Sequence, residues 1–485
     1  MKIVVMKFGG TSVEGPAAIA RTAEIVAGRR DRGQTPVVVV SALAKVTDQL
    51  LVAAAAAERG DRTGALAISS RLRNRHLDVA CSLLNGTANG TAVAPLHAWL
   101  DEQFQALDDL LRGLAAVQEL TPRTIDLVAS YGERLSSRMI GDYYAQCGLN
   151  GIHIDARSCI VTDDQHGKAT PLEEKIEHQL RQLVLPLLEK GHVPVLGGFI
   201  GATESGVTTT LGRGGSDYTG ALVGRGLNAE AIEIWTDVNG IMTTDPRVCP
   251  EALRVKSISF EEAAELAYFG AKVLHPATIL PAVQKNIPVW VLNSKDPSNH
   301  GTEITASARH SHTPFKSIAI KRKLTIIDIV ASRMLMAHGY LKAIFDIFDK
   351  HKCVIDMVST SEVSISVTVD SNQRLPELAA DLSQLADVKY EGQKALICMV
   401  GENIRGQHGI AAQVFSAIRH VNVRMISQGA SEINMSFMIE EEDVEEAVRA
   451  LHQHFFQDPD PEIFDVVARE SLAGVTAAGT FVKEG

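Results

Sequence analysis

Residues 3–30, IVVMKFGGTSVEGPAAIARTAEIVAGRR, decide the fold. The apolar run Lys2–Phe8 reads as a buried strand, and the chain leaves it through Met6-Lys7-Phe8-Gly9-Gly10-Thr11-Ser12. An amphipathic helix follows over Ala17–Arg30. It is opened by Pro16, whose missing N–H would be unbonded in a first helical turn anyway. The two glycines let the backbone approach a bound phosphate closely, the helix start supplies N–H donors, and Lys7 adds a point charge. The spacing is not GxxxxGK[ST]. Read alone, it also describes a tight βα turn with one surface lysine.

Outward from this unit the rhythm continues. Val37–Ser41, Gly151–Ile154, Val193–Leu196, Ile232–Thr236 and Pro288–Leu292 read as further buried strands, with Leu172–Glu189 and Phe260–Phe269 among the helices between them. Such alternation gives an α/β fold, a mostly parallel sheet covered by helices on both faces. Two long helical stretches, 62–84 and 93–118, interrupt it as an inserted subdomain or lid. Residues 297–316, PSNHGTEITASARHSHTPFK, lack periodicity and mark a domain boundary. His310 and His312 lie there without a third ligand and read as solvated; no metal site is expected.

Beyond the boundary the chain repeats itself. His338-Gly339, Phe345 and Ser361-Glu362 return as His408-Gly409, Phe415 and Ser431-Glu432, each displaced by 70. Around these anchors each copy runs strand, helix, strand, strand, helix, starting its first strand at Leu324 and at Leu396. Two βαββαβ units suit paired ligand-binding modules better than a solenoid, which needs at least about three repeats. The stretch from Gln457 to Gly485 is weakly periodic and reads as a tail.

Composition narrows the function classes. The 485 residues are 45% hydrophobic and 22% charged, enough for about three cored domains. Forty-seven basic residues against 58 acidic ones give a net charge of −11, which repels nucleic acid. The six cysteines, Cys81, Cys147, Cys159, Cys249, Cys353 and Cys398, form no CxxC, so neither a disulfide framework nor a zinc site is expected. No apolar run reaches the length of about 18 residues that a membrane span needs, and the first residues lack a signal-peptide pattern. A cytoplasmic protein is expected.

Two further clusters carry chemistry. In Thr208-Thr209-Thr210-Leu211-Gly212-Arg213-Gly214-Gly215-Ser216-Asp217, three glycines around an arginine can aim a guanidinium fork at a carboxylate or phosphate, with Ser216 and backbone amides completing an anion nest. Asp217 also reads as a plain helix N-cap. The third cluster, Trp235-Thr236-Asp237-Val238-Asn239-Gly240-Ile241-Met242-Thr243-Thr244-Asp245-Pro246-Arg247, reads as a nucleotide-binding loop or, taken alone, as a surface loop.

In this order the clusters resemble the aspartate kinases, an amino-acid kinase fold followed by two ACT domains. The matching motifs are KFGGTSV at 7–13, SYGERLS at 130–136, TTTLGRGGSDYT at 208–219, WTDVNGIMTTDPR at 235–247 and FGAKVLHP at 269–276. TSEVS at 360–364 and MISQGAS at 425–431 extend the match into the second half. The second half is similar to the single-function, lysine-inhibited branch. The resemblance implies a kinase domain over 1–300, a linker over 301–316, ACT domains over 317–392 and 393–456, and a tail over 457–485. It implies transfer of the ATP γ-phosphoryl group to the β-carboxylate of aspartate, with Mg2+ bridging the phosphates. Lys7 and Asp217 would be catalytic; Ser41, Thr47, Glu133, Arg213 and Ser216 would bind the substrate. Lys7, Gly9, Gly10, Thr236, Asp237, Met242, Arg247 and Lys272 would bind ATP. Met242 stands where many relatives carry an aromatic ring; a thioether can still pack on adenine.

The same resemblance implies a lysine effector at Met334, Gly339, Tyr340, Leu341, Asp356, Ser361 and Glu362. Asp356 and Glu362 would meet the two ammonium groups of lysine, or else be ordinary solvated acids. Ala337 replaces a serine found in some lysine-sensitive relatives, a hydroxyl worth on the order of 1 kcal/mol. A homodimer or tetramer through the ACT domains is also implied. Two other readings compete: an amino-acid kinase acting on another carboxylate, and a non-catalytic amino-acid sensor. The sensor should have lost Lys7, Glu133 or Arg213, and all three are present.

Overall fold

A computed structural model describes residues 1–84, 93–269, 276–307, 309–330, 339–370 and 374–466. The chain gathers into two compact units, Met1–Ile241 with Val273–Ser307, and Met242–Lys272 with Ala308–Gly485. Among the described residues no helix is long and apolar enough to cross a membrane.

The first unit opens with β1 (Ile3–Phe8), α1 (Pro16–Asp31) and β2 (Thr35–Val40). Four helices follow: α2 (Val46–Glu58), α3 (Arg62–Leu84), α4 (Val93–Val117) and α5 (Pro122–Gln146). The two long helical stretches expected from periodicity are α3 and α4. Their buried Leu72, Val79, Leu100 and Phe104 join the main core, so they extend that core. The chain continues through β3 (Gly151–Ile154), α6 (Glu173–Leu183), α7 (Leu185–Glu189), β4 (Val193–Gly197), β5 (Ile200–Ala202), β6 (Thr208–Thr210), α8 (Gly215–Gly226) and β7 (Ala231–Thr236). It then departs to the second unit through β8 (Ser257–Ser259) and α9 (Phe260–Tyr268), and returns with α10 (Pro276–Gln284), β9 (Val289–Asn293) and β10 (Thr302–Thr305).

Within the first unit the strand order is β3-β4-β2-β1-β7-β9-β10. All neighbours pair parallel except β9 and β10. The expected α/β sheet is therefore present, and β10 is an addition: Thr302–Thr305 lies inside the aperiodic stretch but forms an antiparallel edge. Its four residues are too few to show a period.

Alternation along β1 sets up the site. Val4, Met6 and Phe8 join the core cluster that contains α1, α2 and α5. Lys7 therefore projects from the opposite face. There a Cβ on Gly220 of α8 would stand 3.4 Å from the Lys7 Cβ, so glycine lets that helix lie close.

The second unit adds β11 (Phe315–Val330), α11 (Tyr340–Lys350), β12 (Ile355–Thr360), β13 (Ser364–Asp370) and α12 (Leu375–Leu382). It is completed by β14 (Asp387–Gly401), α13 (Ile410–Ala417), β15 (Met425–Gln428), β16 (Asn434–Glu440) and α14 (Val444–Phe455). One antiparallel sheet runs β12-β13-β11-β14-β16-β15. The repeat is written in the backbone: Lys323 and Gln393 both take positive φ inside β11 and β14, and Gly339 and Gly409 both take it at helix starts.

Both long strands start nine residues before the expected Leu324 and Leu396. β11 pairs with β14 from Phe315↔Gly401 to Val330↔Asp387, so each long strand serves both halves of the sheet. Basic residues disguise its first half. Lys316 is buried, and its ammonium lies 2.9 Å from a Glu262 carboxylate oxygen of α9. Removing one member of such a buried pair costs about 3–5 kcal/mol.

Candidate active site

The carboxyl ends of β1, β2, β4 and β7 converge where parallel α/β sheets place ligands. Lys7, next to last in β1, is 8% exposed and holds its Nζ 2.6 Å from Asp217 Oδ1 in the first turn of α8. Asp217 is not the helix cap it could also be read as: the α8 N-cap is Gly214, and Asp217 meets Lys7.

The glycine turn is tied to β7. The Gly9 amide donates to the Trp235 carbonyl at 3.0 Å, and Ser12 Oγ donates to the same carbonyl at 3.2 Å. Ser12 Oγ also lies 2.7 Å from Ser294 Oγ, which in turn donates to the Thr236 carbonyl at 3.0 Å. Gly10 faces the loop after β2: a Cβ there would stand 3.2 Å from the Ala42 carbonyl. Thr236 donates through its hydroxyl to Asp237, which is exposed.

Beside this loop, Ser41 donates its amide to Phe8 O at 3.0 Å and accepts from Ser136 Oγ at 2.9 Å. Thr47 sits in the first turn of α2, near Gly132 of α5, where a Cβ would stand 3.2 Å from Thr47 Oγ1. The next residue is Glu133. It is 4% exposed, its Oε2 is buried with no hydrogen-bond partner, and its pKa is pushed up to about 8. Burial is the main cause; the Ala42 amide and the charge of Lys7 pull the other way. An acid in that condition is poised for a cation.

Gly197 and Gly198 join Glu133 to α8. A Cβ on Gly197 would stand 3.1 Å from the Glu133 Cβ, and one on Gly198 only 2.7 Å from the Ser216 Cα. The Gly198→Ala chain is expected to displace Ser216 and Asp217 together and to lose at least about ten-fold in kcat/KM. An unchanged kcat/KM in initial-rate assays would refute that packing role.

Arg213 lies on the loop before α8, between Gly212 (φ 75°) and Gly214 (φ 74°), conformations that glycine adopts without strain. It is exposed and holds no ion pair among the described residues, so its fork is free for a ligand. A residue that sequence reading missed holds the floor of this loop. Asp126, 1% exposed, accepts from Thr210 Oγ1, from the Gly167 amide at 3.0 Å, and lies 2.8 Å from His166 Nδ1. Gly167 O is in turn 3.2 Å from the place of a Cβ on Gly212. Asp126 stands two helical turns before Glu133 on the same face of α5; that spacing was the available signal.

The remaining expected nucleotide residues divide. Met242 and Arg247 belong to the second unit, where Met242 O accepts from Ser317 Oγ at 2.7 Å and Arg247 pairs with Asp245 at 2.7 Å. Lys272 lies outside the described residues, as do Met334 and Ala337.

Among the expected effector residues, Gly339 caps α11 with φ 80°, the Tyr340 hydroxyl donates to Leu385 O at 3.0 Å, and Leu341 is exposed. Ser361 Oγ lies 2.7 Å from Ser364 Oγ, and Glu362 is exposed. Asp356 differs from the expectation of an uncommitted acid. Its side chain is 2% exposed and both its oxygens lie 2.8 Å from Lys321 Nζ, which is also 3.2 Å from Asp370. Its charge is already balanced from within, and burial raises its pKa. Of the two acids, only Glu362 keeps a charge uncommitted among the described residues.

Comparison with known proteins places the chain in a family. The amino acid kinase family matches residues 2–293, and an ACT domain family matches 397–455. Aspartokinase 2, chloroplastic, of Arabidopsis thaliana is 37% identical, over 93% of this chain and 84% of its own length. Lysine-sensitive aspartokinase 3 of Escherichia coli K12 is 36% identical, over 94% of this chain and 100% of its own. Crystal structures of the E. coli aspartokinase III match with TM-scores of 0.78, in complex with aspartate and ADP (R-state), and 0.81, with lysine and aspartate (T-state). Both cover 94% of this chain and all of theirs at 36% identity.

Proposed function

The chain belongs to the aspartokinases of the amino acid kinase family, and from that premise we propose that it transfers the γ-phosphoryl group of ATP to the β-carboxylate of L-aspartate, giving 4-phospho-L-aspartate and ADP. The observation that carries this reading is Lys7, fixed by Asp217 at 2.6 Å beside a glycine turn, next to a buried Glu133 with an unpartnered oxygen.

The β-carboxylate is ionised at neutral pH, so the nucleophile needs no general base. One carboxylate oxygen bonds to the γ-phosphorus as the bond to the ADP oxygen breaks. Positioning and charge stabilisation carry the rate. Lys7 meets charge on the transferred group, with the Gly9 and Gly10 backbone around it. Glu133 takes the substrate ammonium and Arg213 its α-carboxylate, while Ser41, Thr47 and Ser216 complete that end. Thr236 and Asp237 serve the nucleotide.

Among the described residues no three acidic, histidine or cysteine side chains converge as a metal cage. Mg2+ would be held by the nucleotide's phosphates and water rather than by a side-chain cage, and would supply neutralisation of phosphate charge.

The kinase domain spans 1–300, and ACT domains over 317–392 and 393–456 form a homo-oligomer that binds lysine as an inhibitor, in a cytoplasmic enzyme. Inhibition requires lysine to prefer one quaternary state. The E. coli relative, an aspartokinase crystallised in complex with lysine and aspartate, supports the effector. The test is ATP-dependent formation of aspartyl phosphate, trapped as the hydroxamate, with lysine or threonine added. Aspartate-dependent product suppressed by lysine alone is expected. No product would return the chain to another substrate or to a sensor; product indifferent to millimolar lysine would remove the effector.

A further inference from the structure

The sheet face opposite Lys7 holds a cleft of about 600 Å³, walled by α1, β7, β9 and the loop 297–300. β7 and β9 pair Glu233 with Trp290 and Trp235 with Leu292, so alternation brings all four to this face. Trp290 and Leu292 thus offer an aromatic and aliphatic wall. Glu233 is already committed: one oxygen lies 2.8 Å from Arg29 Nε, and the other accepts from Trp235 Nε1 at 3.0 Å.

What remains uncommitted describes a ligand. Gln34 lines the cleft, and its Oε1 is buried without a hydrogen-bond partner, an acceptor that calls for a donor. Arg32 and His300 stand exposed on the rim and hold no ion pair among the described residues. Glu24, an exposed acid on the same rim, disfavours a multiply charged ligand.

We propose that this cleft binds a planar aromatic small molecule bearing one N–H donor and one anionic group. The ring packs on Trp290 and Leu292, the N–H bonds Gln34 Oε1, and the anion meets Arg32 and His300. The site is separate from that of aspartate and ATP, because Lys7 leaves β1 on the other face. It still adjoins the phosphate turn: Trp235 lines the cleft, and its carbonyl holds the Gly9 amide and Ser12 Oγ.

A suitable probe is 1-anilinonaphthalene-8-sulfonate, which carries a fused ring, one N–H and one sulfonate. The full chain is titrated while energy transfer from tryptophan to the probe is read. Saturable binding is expected, weakened at least about ten-fold by Arg32→Glu and also weakened by Gln34→Leu. Both variants should keep wild-type thermal melts and probe-free kinase rates. Unsaturable binding, or equal Kd values in the wild type and both variants, would overturn the proposal.

Discussion

Lys7→Met is expected to lower kcat by about 10²–10³, the effect of removing one preorganised group from developing transition-state charge. The ammonium is held where this matters. Its Nζ lies 2.6 Å from Asp217, its side chain is 10% exposed, and Gly220 lets α8 pack against its stem. Methionine keeps the length and loses the charge, so the substrate pockets should persist and the KM for aspartate should move less than kcat. Lys7→Arg is expected to fail too, because a planar fork does not fit the space of a compact ammonium. Initial rates of hydroxamate formation measure the loss, and thermal melts separate it from misfolding. A Lys7→Met chain with wild-type kcat would end the assignment.

The second large effect is in pH. Glu133 is protonated below about 8 in the unliganded chain because burial penalises its charge. Binding an ammonium favours the ionised form. The logarithm of kcat/KM for aspartate should therefore climb with pH, approaching about one unit per pH unit below about 8, and level off above it. Glu133→Gln should remove the slope and weaken aspartate at high pH, where the wild type gains most.

Stability should show the opposite trend. Between 4.5, the ordinary value, and about 8, the folded chain holds a proton that the unfolded chain has released. The native state is thus favoured at low pH, and that contribution is lost as pH rises through this window, by about 1.4 kcal/mol per pH unit. Glu133→Gln, neutral throughout, should melt higher than wild type at pH 8. A flat kcat/KM profile, together with unaltered aspartate binding in Glu133→Gln, would take Glu133 out of the site.

Much of the molecule is legible in its sequence. Short continuous apolar runs alternating with helices of period 3.6 disclose the parallel sheet, since both faces of such a sheet must be buried. The displacement by 70 discloses the duplicated half, and Gly339 and Gly409 take the same left-handed conformation at its two helix starts. Arg213 stands out as a charge among three glycines; Lys7 alone also reads as a surface lysine, and Glu133 as a solvated helix residue, until the family resemblance of KFGGTSV and SYGERLS singles them out. Thr302–Thr305 and the first half of β11 do not stand out: one is too short, and the other carries lysines that only a partner such as Glu262 makes tolerable in a buried strand.

By itself the sequence determined local conformation and chemical inventory: which segments form strands and helices, where glycine must allow close approach, and which groups can carry charge. Those follow from periodicity and side-chain chemistry, which act within a few residues. Tertiary structure alone decided the pairings: Asp217 with Lys7, Asp126 beneath the arginine loop, Lys321 on Asp356, and an unpartnered oxygen on Glu133. Each depends on desolvation and on distances between residues far apart in the chain, and those quantities exist only once the chain has closed on itself.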